Sequence, residues 1–373
     1  MTIAVKYTGT AQDYSGYGSA NRAFITALYV AGVDVTTELL RQTGEWADNG
    51  WTEKLSKSLE KRNINYKVKI IHLTPDIYRR YMEPNKYHIG HLFWETDRLP
   101  KEWIEPCNKM GEIWTSSDKM AEVFKASGVK VPIYSFPQPI DIGIADKNYG
   151  RYSIPGHKGY LFYAMFQWIE RKNPKALLRA YWEAFTGRRD VSLLLKTYRV
   201  NFNKDEFLKI EEEITRWKRE FRLPHYPQVI LVRTLLDQDK IYKLHQTADC
   251  FVSADHGEGW NRCLHEALLM GKPSITTARG GIHEYLNNDL YFPIPSTYVP
   301  VKEVPWIPYY KEGQRWADID HEKLKDAMLF AFANRDLVTA KGMVAKDFIK
   351  DNFSYQKIGE KMRRRLEAIY KSL

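Results

Sequence analysis

The stretch FVSADHGEGWNRCLHEALLM, residues 251–270, decides the fold of this chain. Its first residues continue a short apolar strand, and Asp255 to Gly259 form a polar loop that contains glycine. From Asn261 to Met270 the apolar residues recur at helical spacing. A strand, a glycine loop and a helix start in this order point backbone N–H groups at an anion, and the helix dipole adds a partial positive charge. The stretch therefore predicts an anion site that suits a diphosphate.

Two glutamates belong to the same stretch. Glu258 lies just before the predicted helix and Glu266 lies inside it, with seven residues between them. Glutamates at such a spacing are usually solvated, but here their neighbours favour a site. A carboxylate has two acceptor oxygens, which match the paired hydroxyls of a sugar ring. We therefore expect one glutamate to hold a donor sugar and the other a ribose, rather than a general acid and base.

A second unit of the same kind follows directly. Gly271-Lys272-Pro273 ends the helix, and residues 274–277 resume as a strand. Gly280 and Gly281 then form a second glycine loop. Two such units that open at the same edge of a parallel sheet predict a nucleotide crevice.

These residues resemble the retaining glycosyltransferases of family 4, which have the GT-B fold. The family carries an E-G-F-G-x-x-x-x-E core, which stands here as EGWNRCLHE at residues 258–266. The segments FQWIERKNP, HLFWETDRLP and RWADIDHEKL, which begin at Phe166, His91 and Arg315, also resemble segments of the family or of a subgroup. The resemblance covers nearly the whole chain. It implies an α/β protein of the GT-B class, with two Rossmann-like parallel-sheet domains facing a central cleft.

The resemblance also implies a catalytic set. Arg171 and Lys172 fall where the family carries an Arg and a Lys to the diphosphate, so they and the amides of residues 259–261 would neutralise the leaving group. Glu258 would orient the sugar. The family's usual N-domain histidine has no secure match: His72, His88 and His91 are candidates, and Glu95 is an alternative. The predicted catalytic residues are Arg171, Lys172, Glu258, Glu95 and His91.

A wider set is predicted to bind the donor. Asn261 stands where the family's second glycine is usual, and we interpret its side chain as an extra hydrogen-bond donor to the sugar. His256 lies in the loop within reach of that sugar. Gly16 and Gly18 form a Gly-x-Gly turn that, by resemblance, faces the donor across the cleft. The predicted donor-binding residues are Gly16, Gly18, Lys196, His256, Gly259, Trp260, Asn261, Arg262, Glu266, Gly280 and Gly281.

The chain has 373 residues, 44% of them hydrophobic, which suits two domains of ordinary size. By resemblance we predict an acceptor domain over residues 1–140 and a nucleotide-sugar domain over residues 141–354. The last segment, residues 355–373, is predicted as a helix that returns to the first domain.

Composition also bears on the compartment. Cys107, Cys250 and Cys263 give no paired framework and predict reduced thiols in a cytoplasmic protein. The sequence starts directly with strand-like alternation, so we expect no signal peptide. The longest mainly apolar run, residues 23–33, is too short to span a bilayer. The formal net charge of +10 is explained mostly by solvated lysines, and peripheral contact with the inner face of the membrane stays an alternative.

We expect no metal and no cofactor, with a nucleotide-diphosphate sugar as co-substrate. Residues 237–239 and 318–320 have the D-x-D form used by metal-dependent transferases, but both precede helices and are predicted to be caps. The favoured acceptor is a glycan or a lipid-linked saccharide. Two alternatives stay open: glycosylation of hydroxymethylated DNA bases flipped from the duplex, and a nucleotide-sugar-binding protein without transferase activity.

Strands and helices alternate along the chain, which indicates parallel sheets with right-handed crossovers. Three segments carry further expectations. Residues 51–62 are predicted as an amphipathic helix that packs on the core, with membrane contact as the alternative. Residues 206–221 are predicted as a charged, exposed helix, and residues 293–308 as an irregular excursion.

Overall fold

The computed structural model describes residues 2–12, 15–40, 51–157, 159–302, 304 and 307–373. The chain divides into two compact units. Unit 1 comprises Met1–Ile142 and Lys350–Leu373, and unit 2 comprises Gly143–Ile349.

Unit 1 contains a six-stranded sheet in which neighbouring strands are parallel. Its strands are β1 (Ala4–Gly9), β2 (Asp34–Leu39), β3 (Val68–His72), β4 (Tyr87–His91), β5 (Glu112–Thr115) and β6 (Ile133–Ser135). Their order is β2-β1-β3-β4-β5-β6. β3 is buried along its whole length, which fits a strand covered on both faces. The predicted parallel α/β arrangement is confirmed for this unit.

Helices α1 (Gly16–Val30), α2 (Trp51–Ser58), α3 (Lys101–Asn108) and α4 (Asp118–Ser127) connect these strands. α1 begins at Gly16 because the Ser15 hydroxyl caps it, accepting the N–H of Gly18 at 3.0 Å. α2 ends at Ser58 rather than at residue 62. Lys61 beyond it has a φ of 56°, which a helix does not allow.

Unit 2 contains a second six-stranded sheet, also parallel between neighbours. Its strands are β7 (Tyr160–Gln167), β8 (Val191–Tyr198), β9 (Gln228–Val232), β10 (Cys250–Ser253), β11 (Ser274–Thr277) and β12 (Phe292–Ile294). Their order is β12-β11-β10-β7-β8-β9, so the long strand β7 lies inside the sheet. The first six residues of β7 are buried and anchor the core of this unit.

A separate antiparallel pair corrects one prediction. β13 (Ser296–Pro300) pairs with β14 (Arg315–Ile319), so the segment predicted as an irregular excursion contains a strand. The prediction failed because the partner strand lies beyond that segment and a strand pair cannot be recognised from one half. Residues 303 and 305–306 of the excursion lie outside the described residues.

The helices that begin in unit 2 are α5 (Pro174–Phe185), α6 (Lys204–Phe221), α7 (Gln238–Thr247), α8 (Arg262–Leu269), α9 (His321–Ala333) and α10 (Arg335–Asn352). The capping role predicted for both D-x-D sequences is confirmed. Asp237 accepts the N–H of Lys240 at 2.8 Å, and Asp320 accepts that of Lys323 at 3.1 Å. The prediction that residues 206–221 are exposed is wrong, because α6 buries Phe207, Ile210, Ile214 and Trp217 in the core of unit 2.

The C-terminal helix α11 (Tyr355–Ser372) packs on α1 within unit 1. The Tyr370 hydroxyl donates to the Ala4 carbonyl, which ties the helix to β1. Gly359 makes the close approach of the two helices feasible, because a Cβ there would lie 2.0 Å from the carbonyl oxygen of Ala27. Within the described part of the chain, no helix combines the length and the apolar content needed to cross a membrane.

Replacing Gly359 with valine should destabilise the protein by about 2–3 kcal/mol, because the added methyls force α11 away from α1. Urea unfolding of the variant measures this loss. Ala368→Val is the matched control, since Ala368 is exposed on the same helix and reports only the helix cost of a β-branched residue. Equal losses for the two variants would contradict the close packing at Gly359.

Candidate functional site

Three neighbouring strands of unit 2 end at one edge of its sheet, and two of them, β10 and β11, begin the two units that the sequence predicted there. β7 leads into a short 3₁₀ turn, Glu170–Lys172, and β10 leads through the loop of residues 254–261 into α8. β11 leads through a short loop into a second 3₁₀ turn, Gly281–Glu284, where a full helix start was expected. The carboxyl edge of a parallel sheet is where α/β proteins bind ligands.

Hydrogen bonds to main-chain carbonyls join the three segments into one structure. The N–H of His256 donates to the Arg171 carbonyl at 2.7 Å, and the Arg171 guanidinium donates to the Gly257 carbonyl at 2.6 Å. On the other side, the N–H of Gly281 donates to the Glu258 carbonyl at 3.1 Å. The loop between β10 and α8 is therefore held from both flanks. This last bond also commits the Gly281 amide to the loop rather than to a ligand.

Gly280 explains why the second glycine loop can approach the first so closely. Its φ is +104°, and a Cβ at this position would lie 2.2 Å from the carbonyl oxygen of Glu258. A side chain would therefore meet both a steric and a conformational barrier. The backbone freedom of Gly280 serves to hold the loop that carries Glu258.

Replacing Gly280 with alanine should displace the loop at Glu258 and lower the affinity of the chain for a nucleoside diphosphate by at least about tenfold, as expected when a strained backbone site is disrupted. Isothermal titration of wild type and variant tests this. Gly150→Ala is the control, because Gly150 also has a positive φ, of 77°, but open space around it. A similar loss of affinity in both variants would show that strain alone matters and that the contact with Glu258 does not.

Asn261 shows how the chain departs from the family pattern without losing the local fold. It adopts a left-handed conformation with a φ of 69°, which glycine accepts freely and asparagine tolerates best among other residues. Its side-chain oxygen accepts the N–H of Leu264 at 3.2 Å and so caps α8. The side chain interpreted from sequence as a sugar contact therefore has a structural role, with its amide nitrogen 3.5 Å from Asp255.

Asp255 is a buried carboxylate that the sequence did not single out. It has no exposed surface, and its Oδ2 accepts the Ser253 hydroxyl at 2.5 Å and lies beside the Asn261 amide. The chain of contacts from Ser253 through Asp255 to Asn261 fixes the residue that starts α8. The sequence pattern that could have indicated this buried carboxylate is a strand that ends in Ser-x-Asp ahead of a glycine loop.

Glu258 lies between the two cations predicted beside it. Its Oε2 is 3.2 Å from the Arg171 guanidinium, and its Oε1 accepts a hydrogen bond from the Lys172 ammonium. Glu258 is 8% exposed, so the group is largely withdrawn from water. The three side chains together carry a formal net charge of +1, while the Asp255 carboxylate of the same loop contacts Ser253 and Asn261 instead. A diphosphate would meet the two cations here.

More positive charge surrounds the first turn of α8. Lys172, Lys196 and Arg262 all act electrostatically on Cys263, which is the second residue of that helix. Burial lowers the pKa of Lys196, whose ammonium lies 4.8 Å from the centre of the Phe202 ring. Burial has the opposite effect on the Cys263 thiol: it raises the pKa of this group, which therefore stays protonated. The cations, together with the helix N-terminus, make this region attractive to an anion.

Glu266 is buried on the next turn of the same helix. Its Oε1 accepts two hydrogen bonds from the Arg262 guanidinium, at 2.8 and 2.9 Å. Burial alone would raise the pKa of Glu266, but Arg262 and His245 outweigh it and hold the pKa at about 2. Glu266 is therefore ionised at ordinary pH, and both of its oxygens can accept hydrogen bonds from hydroxyls.

His256 and Trp260 make internal contacts. The His256 ring stacks on Trp316 at 4.8 Å between ring centres, and its Nδ1 contacts the Ala317 carbonyl at 2.5 Å. Nε2 is the ring nitrogen left for the predicted sugar contact. The Trp260 indole is buried and donates to His265 Nδ1 at 3.0 Å. The sequence could not show that β14 supports His256, because that strand lies about sixty residues further along.

The predicted site residues of unit 1 lie at different depths. His91, at the end of β4, has no exposed surface and stacks on His72 with 4.1 Å between the rings. Burial holds the pKa of His91 well below its usual range, so its imidazole is neutral. Glu95 follows in the loop after β4 and is half-buried. Gly16 is the first residue of α1, and the Gly18 amide is used in the Ser15 cap.

One cluster in unit 2 has ligand atoms close enough for a metal ion. Its members are Glu183, His321 and Glu322, whose ligand atoms lie within 4.8 Å of one another. Arg179 already contacts Glu183 at 2.8 Å, and Lys325 pairs with Glu322. These cations disfavour a divalent ion, and no residue of the cluster belongs to the three strand-end segments described above.

Comparison with known proteins identifies part of unit 2. Residues 158–297 match the family model described as Glycosyl transferases group 1. This segment holds β7 to β12 and therefore the whole loop network with Arg171, Glu258 and Glu266. No curated protein matches the sequence. The family match gives the enzyme class, and the matched segment is a glycosyltransferase domain.

Solved structures resemble the chain over its length. Sucrose-phosphate synthase from Thermosynechococcus elongatus has a TM-score of 0.70 at 12% identity, with 100% of both chains covered. A glycosyltransferase from Rickettsia africae gives 0.67 at 13% identity, again with 100% of both chains covered. HepE of Anabaena, solved in complex with UDP-glucose, gives 0.65 at 12% identity over 100% of both chains. At these identities the likeness shows the fold, and that fold is GT-B.

Proposed function

We propose that this protein is a retaining glycosyltransferase that moves a sugar from a nucleotide-diphosphate sugar to an acceptor hydroxyl. The observation that carries the proposal is the contact of Arg171 and Lys172 with Glu258 at the start of α8. Two cations and a helix N-terminus suit a diphosphate, and the carboxylate beside them suits a sugar hydroxyl.

The donor would bind as follows. The diphosphate lies against Arg171, Lys172 and the first turn of α8, where these groups stabilise the charge that grows on the leaving group. Glu258 would accept hydroxyls of the transferred sugar, and Glu266 those of the ribose. Lys196 and Arg262 add positive charge, while Gly259, Gly280 and Gly281 shape the loop. No metal is needed, because the side chains and the helix dipole supply the charge.

In our proposal unit 1 binds the acceptor, and His91 or Glu95 takes the place of the family's usual histidine. We infer retention of the anomeric configuration from the resemblance to family 4 and not from the position of any residue. A leaving phosphate oxygen would then take the proton of the acceptor hydroxyl. This route agrees with the burial of His91, which lowers the pKa of its imidazole and makes it a weak proton acceptor.

We propose a glycan or a lipid-linked saccharide as acceptor. Neighbouring structures support a carbohydrate: TarM of S. aureus was solved with α-GlcNAc-glycerol and UDP, and HepE with UDP and glucose. These neighbours also make UDP the first nucleotide to test.

The decisive experiment incubates the chain with UDP-, GDP- and ADP-sugars and a panel of acceptors, and measures nucleoside diphosphate release. Release that depends on a saccharide acceptor, with an α-linked product from an α-linked donor, is the expected result. Transfer to hydroxymethylated DNA and to no saccharide would keep the proposed transferase activity but would show that the acceptor is DNA. Tight donor binding with no release for any acceptor would favour a nucleotide-sugar-binding protein and contradict the proposal.

A further inference from the structure

We infer that His245 is a positioning residue that orients Glu266 toward the ribose of the donor. His245 lies on α7, outside the short motifs on which the family resemblance rests, and its side chain has no exposed surface. The inference rests on the proposed function, because it deepens the role given there to Glu266.

α7 presents two side chains to the same carboxylate. Gln238 and His245 are seven residues apart, which is two helical turns, so they lie on one face of α7. The Gln238 amide is 3.5 Å from Glu266 Oε1, and His245 Nε2 is 3.8 Å from Glu266 Oε2. Glu266 is thus approached by α7 on one side and by Arg262 of its own helix on the other.

The hydrogen bond behind His245 defines which ring nitrogen faces Glu266. The Tyr163 hydroxyl of β7 lies 2.7 Å from His245 Nδ1. Burial raises the pKa of Tyr163 and lowers that of His245, so the phenol keeps its proton and the imidazole is neutral. Nε2 faces the Glu266 carboxylate, which favours the tautomer with its hydrogen on Nε2, and the phenol then donates to Nδ1. That hydrogen is directed at an ionised acceptor.

The distance from Nε2 to Oε2 leaves this donor unsatisfied. At 3.8 Å the contact exceeds a hydrogen bond, and Nε2 has no other hydrogen-bond partner among the described residues. A buried donor without a partner is unfavourable, so a shift of the carboxylate toward His245 is favoured. Arg262 saturates Oε1, which leaves Oε2 as the oxygen whose direction is still adjustable.

The contacts of Arg262 and His245 have different effects on the Glu266 carboxylate. Arg262 keeps the carboxylate charged, and His245, whose ring is held by Tyr163, offers Oε2 a hydrogen bond when the carboxylate shifts toward it. A ribose hydroxyl would then donate to a carboxylate whose orientation His245 fixes. The role is one of recognition, so His245 should influence donor affinity and leave the chemical step nearly unchanged.

The test compares ribose and deoxyribose ligands. Among ADP, GDP, UDP and CDP, the diphosphate that wild type binds best is titrated beside its 2′-deoxy form, with pyrophosphate as a probe that has no sugar. Loss of a hydrogen bond to a charged group predicts about tenfold weaker binding of the deoxy form by wild type. In His245→Leu the ratio of the Kd for the deoxy form to the Kd for the ribose form should fall to about threefold or less. The affinity for pyrophosphate should stay unchanged.

Two further variants separate positioning from a general packing role. His245→Gln keeps an N–H donor at the position of Nε2 and should restore most of the ratio. Tyr163→Phe removes the hydroxyl that fixes the tautomer and should lower the ratio if His245→Leu fails to fold. In turnover assays, His245→Leu and Tyr163→Phe are both expected to raise KM for the donor and to keep kcat within about twofold of wild type, as for a lost ground-state contact.

The outcomes distinguish this inference from the proposed function. If wild type binds no nucleoside diphosphate, the proposed function itself fails. If wild type prefers ribose and both His245→Leu and Tyr163→Phe keep the full preference, the role of His245 is overturned while the function stands. An equal loss for the ribose form, the deoxy form and pyrophosphate would likewise overturn it and show a packing role.

Discussion

Replacing Lys172 with alanine should lower kcat for sugar transfer by about 10²–10³-fold, the usual cost of removing a group that stabilises transition-state charge. The Lys172 ammonium is largely buried beside Glu258, so its interaction with a diphosphate would be weakly screened. Steady-state rates with the best donor and acceptor measure the effect. Arg171→Ala should act in the same direction, because Arg171 contacts the same carboxylate.

Lys175→Ala is the matched control for this prediction. Lys175 follows three residues later, is 44% exposed and pairs with Glu220 on the surface. Its removal should leave kcat within about twofold, since exposed ion pairs contribute little. If Lys172→Ala also leaves kcat unchanged, Lys172 does not neutralise the leaving group.

Replacing Glu258 with glutamine should change catalysis and product binding in opposite directions. Transfer should fall by at least about tenfold, because a neutral amide accepts sugar hydroxyls less strongly than a carboxylate. The free nucleoside diphosphate should bind about tenfold more tightly, because Arg171 and Lys172 lose the internal anion that now competes for them. Rates and isothermal titration of the diphosphate test the two parts separately.

Glu220→Gln is the control for the charge change, since Glu220 pairs with the exposed Lys175. Glu220→Gln should change neither the rate of transfer nor the affinity for the nucleoside diphosphate. A weaker affinity for the diphosphate in Glu258→Gln would contradict the view that Glu258 is the counter-ion of these cations. Unchanged transfer would remove Glu258 from the sugar subsite.

Much of the fold follows from local patterns in the sequence. The apolar runs at β3 and β7 predict buried parallel strands, and the cap and glycine signals around α4 place both of its ends. Two errors share a cause: the hairpin of β13 and β14 and the early end of α2 depend on residues distant in sequence. The buried face of α6 was present in the local pattern, because its four buried apolar residues recur at helical spacing.

The candidate site was predictable where one segment carries several functional residues. The glycine loop, Glu258 and Glu266 belong to a single stretch, and their positions at a strand end and on a helix agree with its pattern. The contacts among its parts were not predictable. Asn261 turned inward as a cap, Gly280 turned out to support Glu258, and His245 reached Glu266 from another helix. Such contacts depend on strand order and side-chain direction, which spacing along the chain does not encode.

A crystal structure of the chain with an intact nucleotide-diphosphate sugar tests the central claim most directly. We expect the diphosphate against Arg171, Lys172 and the first turn of α8, with the ribose on Glu266 and the transferred sugar on Glu258. A diphosphate bound away from these residues, with Arg171 and Lys172 still paired to Glu258, would contradict it.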